Sequence, residues 1–508
     1  MKQVTLIIDG KWVTVPENIT VREAAKTAGI NIPTLCYLKE INEVGACRIC
    51  IVEADGRIQA SCTYPVSDGM VVKTNTPEIR KMRKGILDLI LANHNTSCTI
   101  CKRNNNCELQ SLSKDLNMTE EFFERSYTLH VDELSPSIVR DDSKCINCGR
   151  CATICNNIQN VGVLGFVHRS DRTKVGTVYD KSLSELSCIN CGQCIVNCPV
   201  DALREKDNTD LVWDYLADES KYVVVQPPPA IRAALGEEFG YPIGTNVTGK
   251  MVASLRRLGF DKVFDTNFAA DVTIMEEGTE LLGRIKNGGP LPLITSCSPG
   301  WIKYCEHNYP DFIDHLSSCK SPQNMMGALL KSHYARMIGV DAKDLVVVSI
   351  MPCTAKKFEV QREELQVDGH CDVDVSITTR ELARMIKEAR MDFRGLEEES
   401  FDAYYGDSTG AAVIFGATGG VMEAALRTVA DLITGKPVEN VEYEQVRGIE
   451  GVKEATLAIT DDLEVNIAVA HGGADIKKLM DRIRSGEKQY HFVEMMACPG
   501  GGGARGGG

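Results

Sequence analysis

Between Cys145 and Cys198 one cysteine pattern occurs twice, first as Cys145-x2-Cys148-x2-Cys151-x3-Cys155 and then as Cys188-x2-Cys191-x2-Cys194-x3-Cys198-Pro199. No other feature of the 508-residue sequence restricts the fold as much. Three thiolates on one tight loop hold three corners of a 4Fe-4S cube, and in paired runs the fourth cysteine of each crosses to the other cluster. The expected ligand sets are therefore Cys145, Cys148, Cys151 and Cys198 for one cube, and Cys188, Cys191, Cys194 and Cys155 for its neighbour. A pair of zinc knuckles is the bland alternative, but zinc takes four ligands per site and has no use for a second trio and a proline at this spacing. The repeat predicts a ferredoxin-like domain with two 4Fe-4S clusters over residues 119–208.

Fifteen of the 21 cysteines lie between Cys36 and Cys198, which divides the chain into a metal-rich front and a metal-poor back. In a large cytoplasmic protein such cysteines are expected as metal ligands rather than disulfides. Cys36, Cys47, Cys50 and Cys62 suit a 2Fe-2S site over residues 1–76, with zinc as the competing occupant because the spacing departs from the plant type. A third group reads His94-x3-Cys98-x2-Cys101-x5-Cys107 within residues 77–118. Its three cysteines lack a fourth within reach, which recruits His94 as the remaining ligand of a 4Fe-4S cluster.

The formal charge of -14 and pI near 5.3 give no electrostatic footprint for nucleic acid. No apolar run approaches the roughly 20 residues that span a bilayer, since even residues 411–426 include Glu423, and no signal peptide is legible, so the expected location is the cytoplasm. Alternation at Val4 to Ile8 and Trp12 to Val15 predicts strands, with a helix begun near Thr20. A helix is expected over Ile79 to Ala92. Farther on, Val223 to Pro229 reads as a strand stopped by prolines. Apolar runs at Leu291 to Ile294 and Leu345 to Ile350 alternate with helical stretches such as Arg380 to Ala389, as in an α/β domain. A Gly-x-Gly-x-x-Gly string at Gly501, Gly503 and Gly506 is weak as a dinucleotide fingerprint because no helix follows it.

The front half, with Ala92-Asn93-His94 and Asn106-Cys107-Glu108-Leu109-Gln110, resembles the cluster-binding region shared by FeFe hydrogenases and the large iron-sulfur subunit of respiratory complex I. In the back half, Thr295-Ser296-Cys297-Ser298-Pro299-Gly300-Trp301, Met351-Pro352-Cys353-Thr354-Ala355-Lys356-Lys357-Phe358-Glu359 and Glu494-Met495-Met496-Ala497-Cys498-Pro499-Gly500-Gly501 resemble the three signature segments of the FeFe-hydrogenase catalytic domain, together with Gly416 to Val421. The resemblance implies a multidomain α+β and α/β chain. Its parts are a β-grasp 2Fe-2S ferredoxin domain, a His/Cys3 cluster domain, a two-cluster ferredoxin domain and, over residues 209–508, a two-lobed FeFe-hydrogenase-like domain. It further implies that Cys353 and Cys498 match ligands of the family's H-cluster, a cube joined through a cysteine to a di-iron centre. Ser298 stands where a third ligand belongs and Gly502 where the bridging cysteine belongs. Cys297, Glu277, Ser317 and Glu280 match the family's proton path, and Lys356 the residue that contacts a di-iron cyanide.

The same resemblance implies an iron-sulfur electron-transfer subunit of an electron-bifurcating complex, most like the hydrogenase-type subunit of Stn-type transhydrogenases. Its expected cofactors are one 2Fe-2S and three 4Fe-4S clusters, with no di-iron H-cluster. Its expected partners are a flavin- and NAD-binding subunit, an NADP-binding subunit and ferredoxin, in a hetero-oligomer without nucleic acid or membrane insertion. The alternative is a catalytic FeFe hydrogenase with an altered active cluster.

Substituting cysteine for His94 is expected to retain a cluster while lowering its potential, because an anionic thiolate replaces a neutral imidazole. Redox-titrated paramagnetic resonance measures this, and an unchanged set of potentials would exclude His94 as a ligand.

Overall fold

A computed structural model describes residues 2–119, 123–127, 129–403, 408–409, 419–434, 444–445, 451–460 and 463–499. The chain forms two compact units whose sequences interleave. The first comprises residues 1–158, 162–186 and 197–204, and the second residues 159–161, 187–196 and 205–508.

In the first unit, alternating residues put Val4, Leu6 and Ile8 on one face of the strand Gln3–Ile8, against Val13 and Val15 of Lys11–Pro16. The strand Val71–Lys73 joins the same sheet parallel to the first strand, and Ile51–Ala54 with Arg57–Ala60 completes five strands. The helix Val21–Thr27 covers this sheet. Thr20 begins it with a reciprocal capping box, its hydroxyl accepting from the Glu23 N–H while the Glu23 carboxylate accepts from the Thr20 N–H. The helix Pro77–Ala92 starts on a Thr76 cap with proline in its first turn, where the missing N–H costs nothing. Its buried Arg83 donates to the carbonyls of Ile49 and Ile51 at 3.1 and 2.7 Å, pinning the helix to a cysteine-bearing loop.

The second unit holds two sheets. One is wholly parallel and consists of Lys262–Val263, Tyr222–Gln226, Leu345–Met351 and Val375–Thr378 in that order. Val223 and Val225 enter one core and Val224 the opposite one, as do Val346 and Val348 against Val347. Both faces are covered, which is why Leu345–Met351 is apolar almost throughout and buried along its whole length. The other sheet runs parallel from Leu293–Ile294 through Phe492–Met496 to Leu463–His471 and continues antiparallel through Val452–Thr460 to Glu444–Gln445. Prolines shape both. Pro290 and Pro292 offer no ladder donor, so the expected strand at 291–294 shortens to Leu293–Ile294. Tyr222–Gln226 likewise ends before Pro227, and Pro229 opens the next helix, Pro229–Ala234.

A buried ion pair fastens the helices Ala355–Glu359 and Thr379–Glu388 beside the parallel sheet. Lys357, with no exposed surface, donates to Glu381 Oε1 at 2.8 Å and to the Ser376 carbonyl at 3.0 Å, while Glu381 also accepts from the Asn208 and Thr378 N–H groups. Replacing Lys357 by Met strands the carboxylate in the core, and the expected cost is ~3–5 kcal/mol. Urea unfolding of Lys357→Met against the Lys357→Met, Glu381→Gln pair measures it, the pair losing clearly less.

Candidate metal centres and the hydrogenase-like cavity

The four cysteines of the first group are buried and drawn together in the first unit. Hydrogen bonds from Cys47 and Cys62 hold the Cys36 thiol well below its ordinary range, while contact with Cys36 pushes Cys47 and Cys62 up, and Cys62 also meets Cys50. The surrounding backbone supports the sulfurs, the Leu35 N–H reaching Cys47 Sγ at 3.4 Å and Ser61 donating to the Cys50 carbonyl. Four converging thiols are a donor set that fits a 2Fe-2S cluster.

At the C-terminal end of Pro77–Ala92, His94 Nδ1 lies 2.9 Å from the Lys144 carbonyl. A carbonyl only accepts, so Nδ1 carries the proton and Nε2 keeps its lone pair as a ligand atom. Burial lowers the imidazole pKa, holding it neutral. His94, Cys98 and Cys107 line one cavity of about 760 Å³, together with Leu91 and Leu109. Cys107 also stands at the N-cap position of the helix Glu108–Asp115. Cys101 has a different surrounding, with Asp201 Oδ2 and Lys144 Nζ each 3.6 Å from its sulfur. The donor set of one imidazole and three thiols fits a cube.

The duplicated run repeats its backbone as well as its spacing. Both copies read Cys-Ile-Asn-Cys-Gly, and the turns are left-handed at Asn147 and Gly149 (φ 50° and 79°) and again at Asn190 and Gly192 (φ 56° and 71°). Asn tolerates that conformation and Gly favours it, which bends each loop around its sulfurs. Cys145, Cys148, Cys151 and Cys198 line one pocket walled by Leu164, Val175, Val200 and Leu203. The fourth cysteine of the second run thus stands with the first trio. Burial among apolar walls pushes the Cys145 thiol up to about 11 and Cys148 to about 12, with Cys198 and Cys151 also raised. Cys155 belongs to the first unit, and Cys188, Cys191 and Cys194 belong to the second. Ile189 enters the core of the second unit with Trp301 and Tyr304, Cys191 packs on that core, and the Thr354 hydroxyl donates to the Asn190 carbonyl at 2.8 Å. Among the described residues no group of three or more His, Cys, Asp or Glu side chains is gathered round a single-ion position.

Within the second unit, Cys297, Ser298, Cys353, Lys356 and Cys498 line a cavity of about 840 Å³, counting its mouth, whose remaining walls are largely apolar, among them Pro228, Ala270, Met351 and Val421. Cys353 and Cys498 are hydrogen-bonded to each other, which lowers the first thiol and raises the second. Ser298 precedes the helix Pro299–Asn308, and its hydroxyl accepts from the Ala497 N–H at 3.3 Å. Gly502, Gly416 to Thr418 and the glycine string at 501–506 lie outside the described residues. Ser298 thus brings a hydroxyl to the cavity wall that Cys353 and Cys498 also line. Lys356 is aimed by Glu359 at 2.8 Å and the Cys297 carbonyl at 3.0 Å, and Glu359 in turn accepts from Ser321 and Gln323. Motif spacing gives no sign of this Gln323–Glu359 support, nor of Lys144 and Asp201. The signal available for the last two was adjacency, Lys144 standing immediately before Cys145 and Asp201 three residues after Cys198.

Residues 221–506 match the family described as iron only hydrogenase large subunit, C-terminal domain. Residues 1–77 match a 2Fe-2S iron-sulfur cluster binding domain, 83–121 the NADH-ubiquinone oxidoreductase-G iron-sulfur binding region, and 144–202 a 4Fe-4S dicluster domain. The chain is a multidomain iron-sulfur protein of mixed α/β structure that belongs to the iron-only hydrogenase family. It is 48% identical to the NADP-reducing hydrogenase subunit HndD of Solidesulfovibrio fructosivorans, covering 99% of this chain and 88% of that one. It is 42% identical to iron hydrogenase 1 of Clostridium pasteurianum, covering 98% and 87%. The solved structure of a variant of the FeFe hydrogenase HydA1 from Chlamydomonas reinhardtii superimposes with a TM-score of 0.55 at 40% identity, over 59% of this chain and 84% of that one. Among the described residues no helix is long and apolar enough to cross a membrane.

Of the four residues expected on a proton path, Glu277 and Glu280 lie on the helix Asn267–Asn287, Ser317 on a loop bonded to Glu280, and Cys297 in the loop before the helix Pro299–Asn308. Glu280 accepts from Ser317, Ser318 and Arg284, the Ser317 hydroxyl at 3.3 Å. Glu277 is fully enclosed and its carboxyl oxygens make no hydrogen bond of ordinary length. Burial pushes it up to about 7, which the Ser317 hydroxyl and Ser296 N–H offset only in part. Because the folded state keeps a proton that an unfolded Glu releases near its usual 4.5, stability is expected to fall as pH rises from about 4.5 to about 7. Infrared spectra should show a protonated carboxyl band below about pH 7 that disappears above it, and Glu277→Gln should abolish both the band and that pH dependence.

Proposed function

We propose that this chain is the iron-sulfur electron-transfer subunit of an electron-bifurcating NAD/NADP/ferredoxin transhydrogenase complex of the Stn type, in which the hydrogenase-like domain is a scaffold without a working H-cluster. The observation that carries the reading is Ser298. Its buried hydroxyl stands where a thiolate ligand belongs and already accepts a backbone hydrogen bond from Ala497. A serine hydroxyl is rarely deprotonated and cannot replace that thiolate on equal terms, and glycine at 502 brings no ligand at all.

The ligand sets of the front half are complete by contrast. Cys36, Cys47, Cys50 and Cys62 hold a 2Fe-2S cluster, His94, Cys98, Cys101 and Cys107 one cube, and Cys145, Cys148, Cys151 and Cys198 a second. The third cube takes Cys188, Cys191, Cys194 and Cys155. When bound, these clusters supply one-electron carriers. The protein's contribution is to keep them dry, fix their spacing and set their potentials. Charge at Cys191 contributes to raising the Cys498 thiol, which supports passage of electrons from the second cysteine run toward the cavity. The printed name of the HndD relative, a subunit of an NADP-reducing hydrogenase, supports a hetero-oligomer. We take the partners to be a flavin- and NAD-binding subunit, an NADP-binding subunit and ferredoxin, in the cytoplasm. The residues retained at Cys297, Lys356, Cys353 and Cys498 support the second reading, a hydrogenase with an altered active cluster.

One preparation decides between them. Expressed with the maturation enzymes of FeFe hydrogenases, the protein is expected to contain about fourteen iron atoms, two from the 2Fe-2S cluster and four from each cube. It should show no infrared bands of carbonyl or cyanide and should produce no hydrogen from reduced viologen. Iron near twenty with those bands, or substantial turnover, makes the altered hydrogenase the correct reading.

A further inference from the structure

We propose that Lys144, held by Asp201, tunes and positions the cluster of the His94, Cys98, Cys101 and Cys107 site, raising its potential through an ammonium-to-sulfur hydrogen bond at Cys101. The inference rests on the proposed ligand set for that site and adds a determinant outside it.

Lys144 reaches the site twice. Its backbone carbonyl takes the Nδ1 proton of His94 at 2.9 Å, which turns Nε2 toward the cavity. Its side chain places Nζ 2.7 Å from Asp201 Oδ2 and 3.6 Å from Cys101 Sγ. The carbonyl of the neighbouring Ser143 accepts from the Asn95 N–H at 2.8 Å, so the two backbone segments are tied at adjacent positions. Asp201 is 3% exposed and Lys144 13%, which leaves little water to screen the pair. Arg204 stands farther off, 4.0 Å from the same Asp201 oxygen.

Ligation changes what Cys101 does in this group. As a free thiol it donates its proton to Asp201, 3.6 Å away. As a ligand it has no proton, and a thiolate facing a buried carboxylate at that distance is repelled unless a cation within reach of both offsets the charge. Lys144 Nζ is that cation. One-electron reduction at the site adds one negative charge beside the ammonium, with no bond broken and no proton moved. The reduced state is therefore stabilised more than the oxidised state, and hydrogen bonds to ligand sulfurs act in the same direction. Asp201 opposes this by its own charge while keeping Lys144 in place. The same segment continues into Cys145, so one residue adjusts the site of His94 and adjoins the first ligand of the next cube.

The test uses the full-length protein and redox-titrated paramagnetic resonance. Cys107→Ala first identifies the signal of the site. If it removes no iron and alters no signal, the ligand set is wrong and the proposal for Lys144 falls with it. With the signal identified, Lys144→Met should make that cluster about tenfold less reduced at a fixed solution potential, ~59 mV for a one-electron couple. Lys144→Arg should restore most of the shift, and Asp201→Asn should move the potential upward. Lys144→Met with Asp201→Asn removes both charges together and serves where the buried Asp201 would prevent folding. An identified signal whose potential does not move in Lys144→Met and does not differ between the double variant and Asp201→Asn, or an equal shift of every cluster, overturns the proposal.

Discussion

A thiolate surrounded by hydrocarbon is expensive, and the first unit is built around that constraint. Leu164, Val175, Val200 and Leu203 close over Cys145, Cys148, Cys151 and Cys198, and in those surroundings the sulfurs hold their protons far above neutral pH. Iron removes the difficulty by taking the negative charge directly, so the apolar walls and the metal are two halves of one arrangement. The left-handed Asn and Gly turns, the Arg83 clamp on the Ile49 and Ile51 carbonyls and the bidentate Arg150–Glu108 pair at 2.6 and 2.8 Å all serve to keep the sulfur loops shut while that exchange is possible.

Much of this was legible in the linear chain because the chemistry of clusters depends on local spacing. Cys-x2-Cys-x2-Cys places three sulfurs on one turn whatever the rest of the fold does, and the covered parallel sheet announced itself in the unbroken valines of 346–348. Proline marked the end of the strand Tyr222–Gln226, whereas the apolar run at 291–294 hid that Pro292 confines the strand to Leu293–Ile294. What spacing could not carry was the environment of each sulfur. Cys98, Cys101 and Cys107 read as equals, yet only Cys101 has a lysine and an aspartate beside it, because Asp201 reaches it from 100 residues away. Lys356 was visible as a motif residue, while the Gln323 that supports its partner Glu359 comes from a helix the motif does not contain.

The back half shows how the polar residues of an apolar cavity are held by the packing around them. Ser298 fits its position without strain: it precedes a helix, is buried, and bonds to Ala497 next to Cys498. The cavity is walled by apolar residues and holds the aimed Lys356, while Glu277 lies enclosed on the helix Asn267–Asn287.

The second cysteine run has a divided allegiance, for residues 187–196 count with the second unit although the cysteines on either side of them count with the first. Ile189 is a core residue beside Trp301, and Asn190 is bonded by Thr354. The carrier domain and the hydrogenase-like domain therefore cannot be separated by a single cut in the chain or the gene. A front half ended at residue 208 would expose an isoleucine meant for another core, and a back half begun there would lack part of its own. Recombination that shuffles cluster domains among redox enzymes must here carry the boundary loop along with both neighbours, so this joint is inherited as a unit.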